Sequence, residues 1–174
     1  MVREIEIKVM LDCDTVETVR GRLLGLGARP VSRRREEDIY YAHPCRDFRV
    51  TDEALRLRRS GDETRLTYKG PRTIVGGAKS REEIEVEAPG DIAAILERLG
   101  FQPRVRVVKE REYYKLPGAL VSLDKVEGLG CFVEAESRGA SPEELERILE
   151  EIGARGERVE ESYAELVARA SGMG

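Results

Sequence analysis

Charged and apolar residues alternate one by one in seven separate stretches of this 174-residue chain, and no other feature restricts its fold so tightly. In "EIEIKVML" (4–11), Ile5, Ile7, Val9 and Leu11 fall on one side of an extended strand. Glu4, Glu6, Lys8 and Met10 fall on the other, because side chains alternate along extended backbone. "ALRLRR" separates Arg56 and Arg58 from Leu55 and Leu57, and "TRLTYKG" opposes Arg65, Thr67 and Lys69 to Leu66 and Tyr68. "REEIEVE" sets Arg81, Glu83, Glu85 and Glu87 against Ile84 and Val86. Lys109 and Arg111 share a face in "VVKEREYY", Asp124 stands opposite Leu123 in "VSLDKV", and Glu134 and Glu136 oppose Val133 and Ala135 in "CFVEAES".

Period-2 segments at 4–11, 36–42, 54–59, 63–69, 81–88, 105–115, 119–127 and 131–138 predict eight strands. "RRSGDET" and "LPGA" read as hairpin turns, which favours antiparallel pairing, and "GPRTIVGGAKS" as a longer glycine-rich loop. Helical periodicity marks four further segments. "DTVETVRGRLLGLG" groups Val16, Val19 and Leu23 and stops at Gly27, and "DIAAILERLG" stops at Gly100. "SPEELERILEEIG" has Ser141 as N-cap, Pro142 in the first turn, Glu144 completing a capping box and Gly153 at its end. "ESYAELVARA" is the fourth. The fold class is therefore α+β: an eight-stranded, mainly antiparallel closed β-barrel with amphipathic helices packed outside. No Pro/Ser-rich linker interrupts 1–174, which reads as a single domain.

Helices on the outside demand apolar strand faces there, so the charged faces turn into the lumen. Charges taken out of water without partners cost several kcal/mol each. A lumen so built is wet, internally paired, or made for a charged ligand. A polyphosphate carrying a divalent metal suits both signs, since Arg and Lys donate to phosphate oxygens while carboxylates bind Mg²⁺ or Mn²⁺.

Composition narrows the partners. With 30 basic and 34 acidic residues the net charge is −4, which argues against a broad electrostatic footprint for nucleic acid or an anionic membrane. No apolar run approaches the roughly 20 residues of a membrane span, and the N-terminus lacks a signal-peptide core, so a cytoplasmic protein is expected. Cys13, Cys45 and Cys131 are odd in number and lack CxxC spacing, which predicts reduced thiols rather than a disulfide framework. His43, the single histidine, sits beside Pro44 in a predicted loop facing solvent.

At these residues the sequence resembles the CYTH superfamily, the triphosphate tunnel metalloenzymes, whose hallmark ExExK is matched by Glu4, Glu6 and Lys8. "LRLR", "TYKGP", "REEIEVE", "VKERE", "LDKVEGLGCFVEAE" and "ESYAEL" follow in the family's order across almost the whole chain. "EDIYY", "LGFQP" and "VKEREYY" are most similar to class IV adenylyl cyclases and their relatives. The resemblance implies a tunnel that binds a nucleoside or inorganic triphosphate with Mg²⁺ or Mn²⁺. By position, Glu4, Glu6, Asp124, Glu134 and Glu136 are its metal-site candidates. Lys8, Arg56, Arg58, Lys69, Arg81, Lys109 and Arg111 are its phosphate-binding candidates. Glu83 and Glu85 match acidic positions of the family or pair with neighbouring arginines. The expected reaction converts ATP to cyclic AMP and pyrophosphate. Hydrolysis of tripolyphosphate, thiamine triphosphate or a nucleoside triphosphate is the alternative, with Tyr40 and Lys69 assisting water. A non-catalytic polyphosphate-binding module is the second alternative. The expected partner is a small-molecule triphosphate, and a homodimer is left open.

Overall fold

The computed structural model describes residues 2–173, and its strands close into a ring as the alternation requires. In chain order the strands are β1 (Val2–Leu11), β2 (Arg29–Ala42), β3 (Ala54–Ser60), β4 (Glu63–Lys69), β5 (Thr73–Val75), β6 (Ala78–Glu87), β7 (Gln102–Leu116), β8 (Ala119–Val126) and β9 (Gly130–Ser137). The ring runs β1-β9-β8-β7-β2-β3-β4-β6 and closes by pairing of β6 with β1, every pairing antiparallel. Eight strands thus form the barrel, and β5 extends the β4 side of β6.

The helices are α1 (Val16–Gly25), α2 (Phe48–Thr51), α3 (Ile92–Arg98), α4 (Pro142–Glu151) and α5 (Tyr163–Ala170). The Ser141–Glu144 capping box at α4 is formed. Outward apolar faces of β1, β8 and β9 bury Ile7, Val9, Val121, Leu123, Val133 and Ala135 against Val19 and Leu23 of α1 and Leu145 and Leu149 of α4. Leu96 of α3 covers Tyr41 and Leu57 in the same way. Each buried Val, Leu or Ile among them contributes roughly 1.5–3 kcal/mol. α5 differs: Tyr163 and Leu166 meet Val105 and Val107, in phase with Lys109, and Phe132, in phase with Glu134. It therefore seals part of one barrel end. Among the described residues no helix is long and apolar enough to cross a membrane.

Three readings of the sequence need correction. "GPRTIVGGAKS" contains a hairpin: β5 pairs with the start of β6 across Gly76 and Gly77, whose positive φ angles of 55° and 78° supply the tight turn. β2 begins seven residues before the predicted strand, at Arg29, because "RPVSRRR" pairs with β7 without any apolar alternation to announce it. Cys13 and Cys131 form a disulfide, not free thiols, with Cα atoms 5.2 Å apart. Leu11 is the register partner of Cys131, so the turn after β1 brings Cys13 alongside across 118 residues of sequence. Cys45 is exposed and free.

A charged tunnel as the candidate active site

Register places opposite charges side by side on the lumen face. Glu4 is aligned with Arg81, Lys8 with Glu134, Arg58 with Asp38, Lys69 with Glu83, and Arg111 with Asp124. They surround a cavity of about 390 Å³ lined by ten basic and seven acidic side chains. The chain as a whole carries −4, so the excess of cations is local to this cavity.

All the phosphate-binding candidates line the cavity, as do Glu4, Glu6, Glu134, Glu136 and Tyr40. Lys69 Nζ lies 3.0 Å from both Glu4 and Glu83; burial alone would lower its pKa, but those carboxylates hold it above the usual lysine value. Lys109, 1 % exposed, contacts Asp38 at 2.8 Å and Glu36 at 3.3 Å. Burial and the adjacent Arg58 lower its pKa to about 8. Arg58 grips Asp38 with two hydrogen bonds of 2.7 and 2.8 Å. Arg56 donates to Thr67 at 3.1 Å and Glu85 at 3.2 Å, yet its buried Nε has no acceptor. Lys8 sits 4.3 Å above the Tyr163 ring and donates to the Glu161 carbonyl at 2.9 Å.

Two candidates are engaged elsewhere. Arg81 gives its guanidinium to the Gly70 and Asp52 carbonyls at 2.7 and 3.0 Å. Asp124 stands behind Arg111, receiving hydrogen bonds of 2.6 and 2.5 Å from it and one of 2.5 Å from the Tyr163 hydroxyl. Arg111 also reaches Glu134 at 2.7 Å. Arg65 and Glu87 pair at 3.7 Å nearer the rim.

Sequence reasoning passed over Glu36, Asp38, Lys79, Tyr113 and Tyr163. Glu36 and Asp38 were readable, since they precede Tyr40 in strict alternation. Lys79 shares the phase of Arg81 and pairs with Glu6, but the apparent glycine-rich loop hid it. Tyr113, two residues after Arg111, donates to Glu36 at 2.6 Å. Tyr163 is the first residue of α5, and no strand alternation could have placed it in a barrel.

The carboxylates suit a hard divalent cation. Burial, reinforced by Glu4, pushes Glu136 up to about 7, and burial raises Glu4 as well. Such crowding of oxygen donors is relieved by positive charge. Among the described residues no three His, Cys, Asp or Glu side chains stand together as a closed ligand set. Mg²⁺ does not require one, because it commonly keeps waters and shares phosphate oxygens with one or two carboxylates.

Comparison with known proteins agrees with this fold. The CYTH domain model matches residues 2–171. A Methanocaldococcus jannaschii protein provisionally named an adenylate cyclase is 42% identical over 151 residues, covering 86% of this chain and 85% of that one. The PH1819 protein from Pyrococcus horikoshii OT3 has a similar structure, with a TM-score of 0.82 and 41% identity over 95% of this chain and 98% of that one. HpAC1 from Hippeastrum shares the fold at a TM-score of 0.65 and 20% identity, covering 99% of this chain and 96% of that one. That protein is a provisional adenylyl cyclase with a dominant triphosphatase activity.

Proposed function

Because the chain belongs to the CYTH domain family, we propose that it is a divalent-metal-dependent enzyme that binds a triphosphate in its barrel and converts ATP to cyclic AMP and pyrophosphate. The observation that carries this reading is the surplus of cations around the barrel cavity in an otherwise acidic protein. The unpartnered Arg56 Nε fits it, since a buried donor left without an acceptor is costly and a phosphate oxygen would satisfy it. The name carried by the 42% identical relative favours cyclisation.

Lys8, Arg56, Arg58, Lys69, Lys109 and Arg111 hold the phosphates, and Arg81, tied to backbone, shapes the wall beside them. Lys69 stays protonated beside Glu4 and Glu83, so its part is to offset charge on the leaving group rather than to accept a proton. Glu4, Glu6, Glu134 and Glu136 would hold Mg²⁺ or Mn²⁺, and Asp124 would orient Arg111. A cation held by these carboxylates would supply positive charge to offset the negative charge that develops during transfer. In cyclisation the ribose 3′-hydroxyl gives up its proton to solvent as its oxygen bonds to the α-phosphorus, the bond from that phosphorus to the bridging oxygen breaks, and pyrophosphate leaves.

Hydrolysis is the second reading. Tyr40 lies at the cavity wall with its side chain available to water, and fold kinship does not choose between the two reactions. Incubating the protein with Mg²⁺ or Mn²⁺ and ATP, thiamine triphosphate or tripolyphosphate separates them. Cyclic AMP with pyrophosphate supports the cyclase, and orthophosphate the hydrolase. Glu6→Gln should lose nearly all turnover of either kind. Tight binding without any product would leave a polyphosphate-binding module.

A further inference from the structure

A second cavity, of about 690 Å³, opens beside α5, and Tyr40, Ala54, Arg81 and Ser162 line both it and the tunnel. The two therefore adjoin across these four residues as a charged part and a larger part. The larger part has aromatic walls. Tyr41, His43 and Phe48 line it, and His43 is braced by Phe48 at 5.5 Å between ring centroids and by Phe101, edge-on, at 5.1 Å.

His43 is also fixed in orientation. The backbone N–H of Cys45 donates to its Nδ1 at 3.0 Å, so in the neutral ring the proton resides on Nε2. Nε2 has no acceptor among the described residues. The charged groups nearby are largely spoken for: Arg49 is clamped to Asp47 at 2.8 and 3.0 Å, and Arg46 reaches Glu53 at 3.4 Å. Arg46 also lies over the Phe48 ring, 5.5 Å from its centroid, and Arg104 lines the cavity without an ion pair among the described residues, so an aromatic wall stands beside a directed donor and one free cation.

We infer that this antechamber takes the organic end of the triphosphate substrate, a planar nitrogen heterocycle of nucleobase type that lies against Phe48 in place of the Arg46 guanidinium and accepts a hydrogen bond from His43 Nε2. The inference rests on the tunnel holding the phosphates. It makes His43 and Phe48 specificity-determining residues for a nucleoside triphosphate over a bare phosphate chain. A base stacked on an aromatic ring gains about 1–3 kcal/mol, roughly 5- to 150-fold in affinity.

Calorimetric binding of ATP and of tripolyphosphate, both in metal-free buffer, tests it on the wild type, His43→Gln and Phe48→Leu. These substitutions keep side-chain bulk at two half-buried positions outside the strands. The expected result is ATP affinity about 10-fold weaker in each variant, with tripolyphosphate affinity unchanged. ATP affinity that is unaltered, or that falls in parallel with tripolyphosphate, overturns the inference. Wild-type protein that binds tripolyphosphate but not ATP overturns it while sparing the tunnel reading. Binding of neither ligand removes both.

Discussion

Lys109 carries the sharpest single-residue consequence. Its ammonium is buried between Asp38 and Glu36, and its pKa of about 8 lies below that of a free lysine. A bound phosphate chain favours the charged form and raises that value. Below pH 8 the proton is already present; above it, binding must take one up. Tripolyphosphate affinity should therefore fall as pH rises from 8 to 10. Calorimetry in buffers of different ionisation enthalpy should report proton uptake there, and Lys109→Met should reduce it to what Lys8, whose pKa burial also lowers, supplies. Absence of uptake in the wild type would exclude contact between Lys109 and phosphate. Asp38, 1 % exposed, is held well below the usual carboxylate range: burial opposes this, and Arg58 more than compensates. Asp38→Asn strips the charge from the partner of buried Lys109 and partly buried Arg58 and should cost about 3–5 kcal/mol in denaturant unfolding. Added tripolyphosphate should recover part of that loss. Both carboxylates beside Lys109 were written in the alternation "EEDIYY", whereas their pairing with Arg58 and Lys109 was not, because it depends on register between strands far apart in sequence.

At the level of elements, legibility followed the repeat. Strands whose two faces differ, such as β1, β3 and β9, declared both themselves and their lumen residues. The first half of β2 and all of β5 did not, since both of their faces meet solvent along much of their length. α5 was legible as a helix but not as the seal of a barrel end, a role set by Tyr163 reaching Asp124. The segment leading to α5 runs along β1, with Met10 N–H donating to the Glu157 carbonyl at 2.9 Å and Val159 N–H to the Lys8 carbonyl at 3.1 Å. Gly156 permits this approach: a Cβ there would overlap the Met10 carbonyl. Gly156→Ala should lower stability by about 1–3 kcal/mol and, by loosening Lys8 and Tyr163, weaken tripolyphosphate binding. Unchanged values of both would show that the segment is dispensable. Opening the Cys13–Cys131 bridge by Cys13→Ser should cost about 2–4 kcal/mol in unfolding while sparing binding, because β1 and β9 stay paired from Glu6 to Leu11.

Across the whole molecule, the barrel reverses the usual arrangement of apolar inside and polar outside. Its strands are held by helices pressed on their outer faces, which frees the interior for charge. Most cations in that interior already have a carboxylate at 3.7 Å or less. The tunnel thus behaves as an ion exchanger whose counterions are tethered to the resin. A small anion can dislodge only one tethered partner and gains little by doing so. A chain of linked phosphates displaces several in succession, each made easier by the one before, as in any multivalent exchange. Affinity should accordingly climb steeply from orthophosphate through pyrophosphate to tripolyphosphate, and ordinary salt should be a poor competitor.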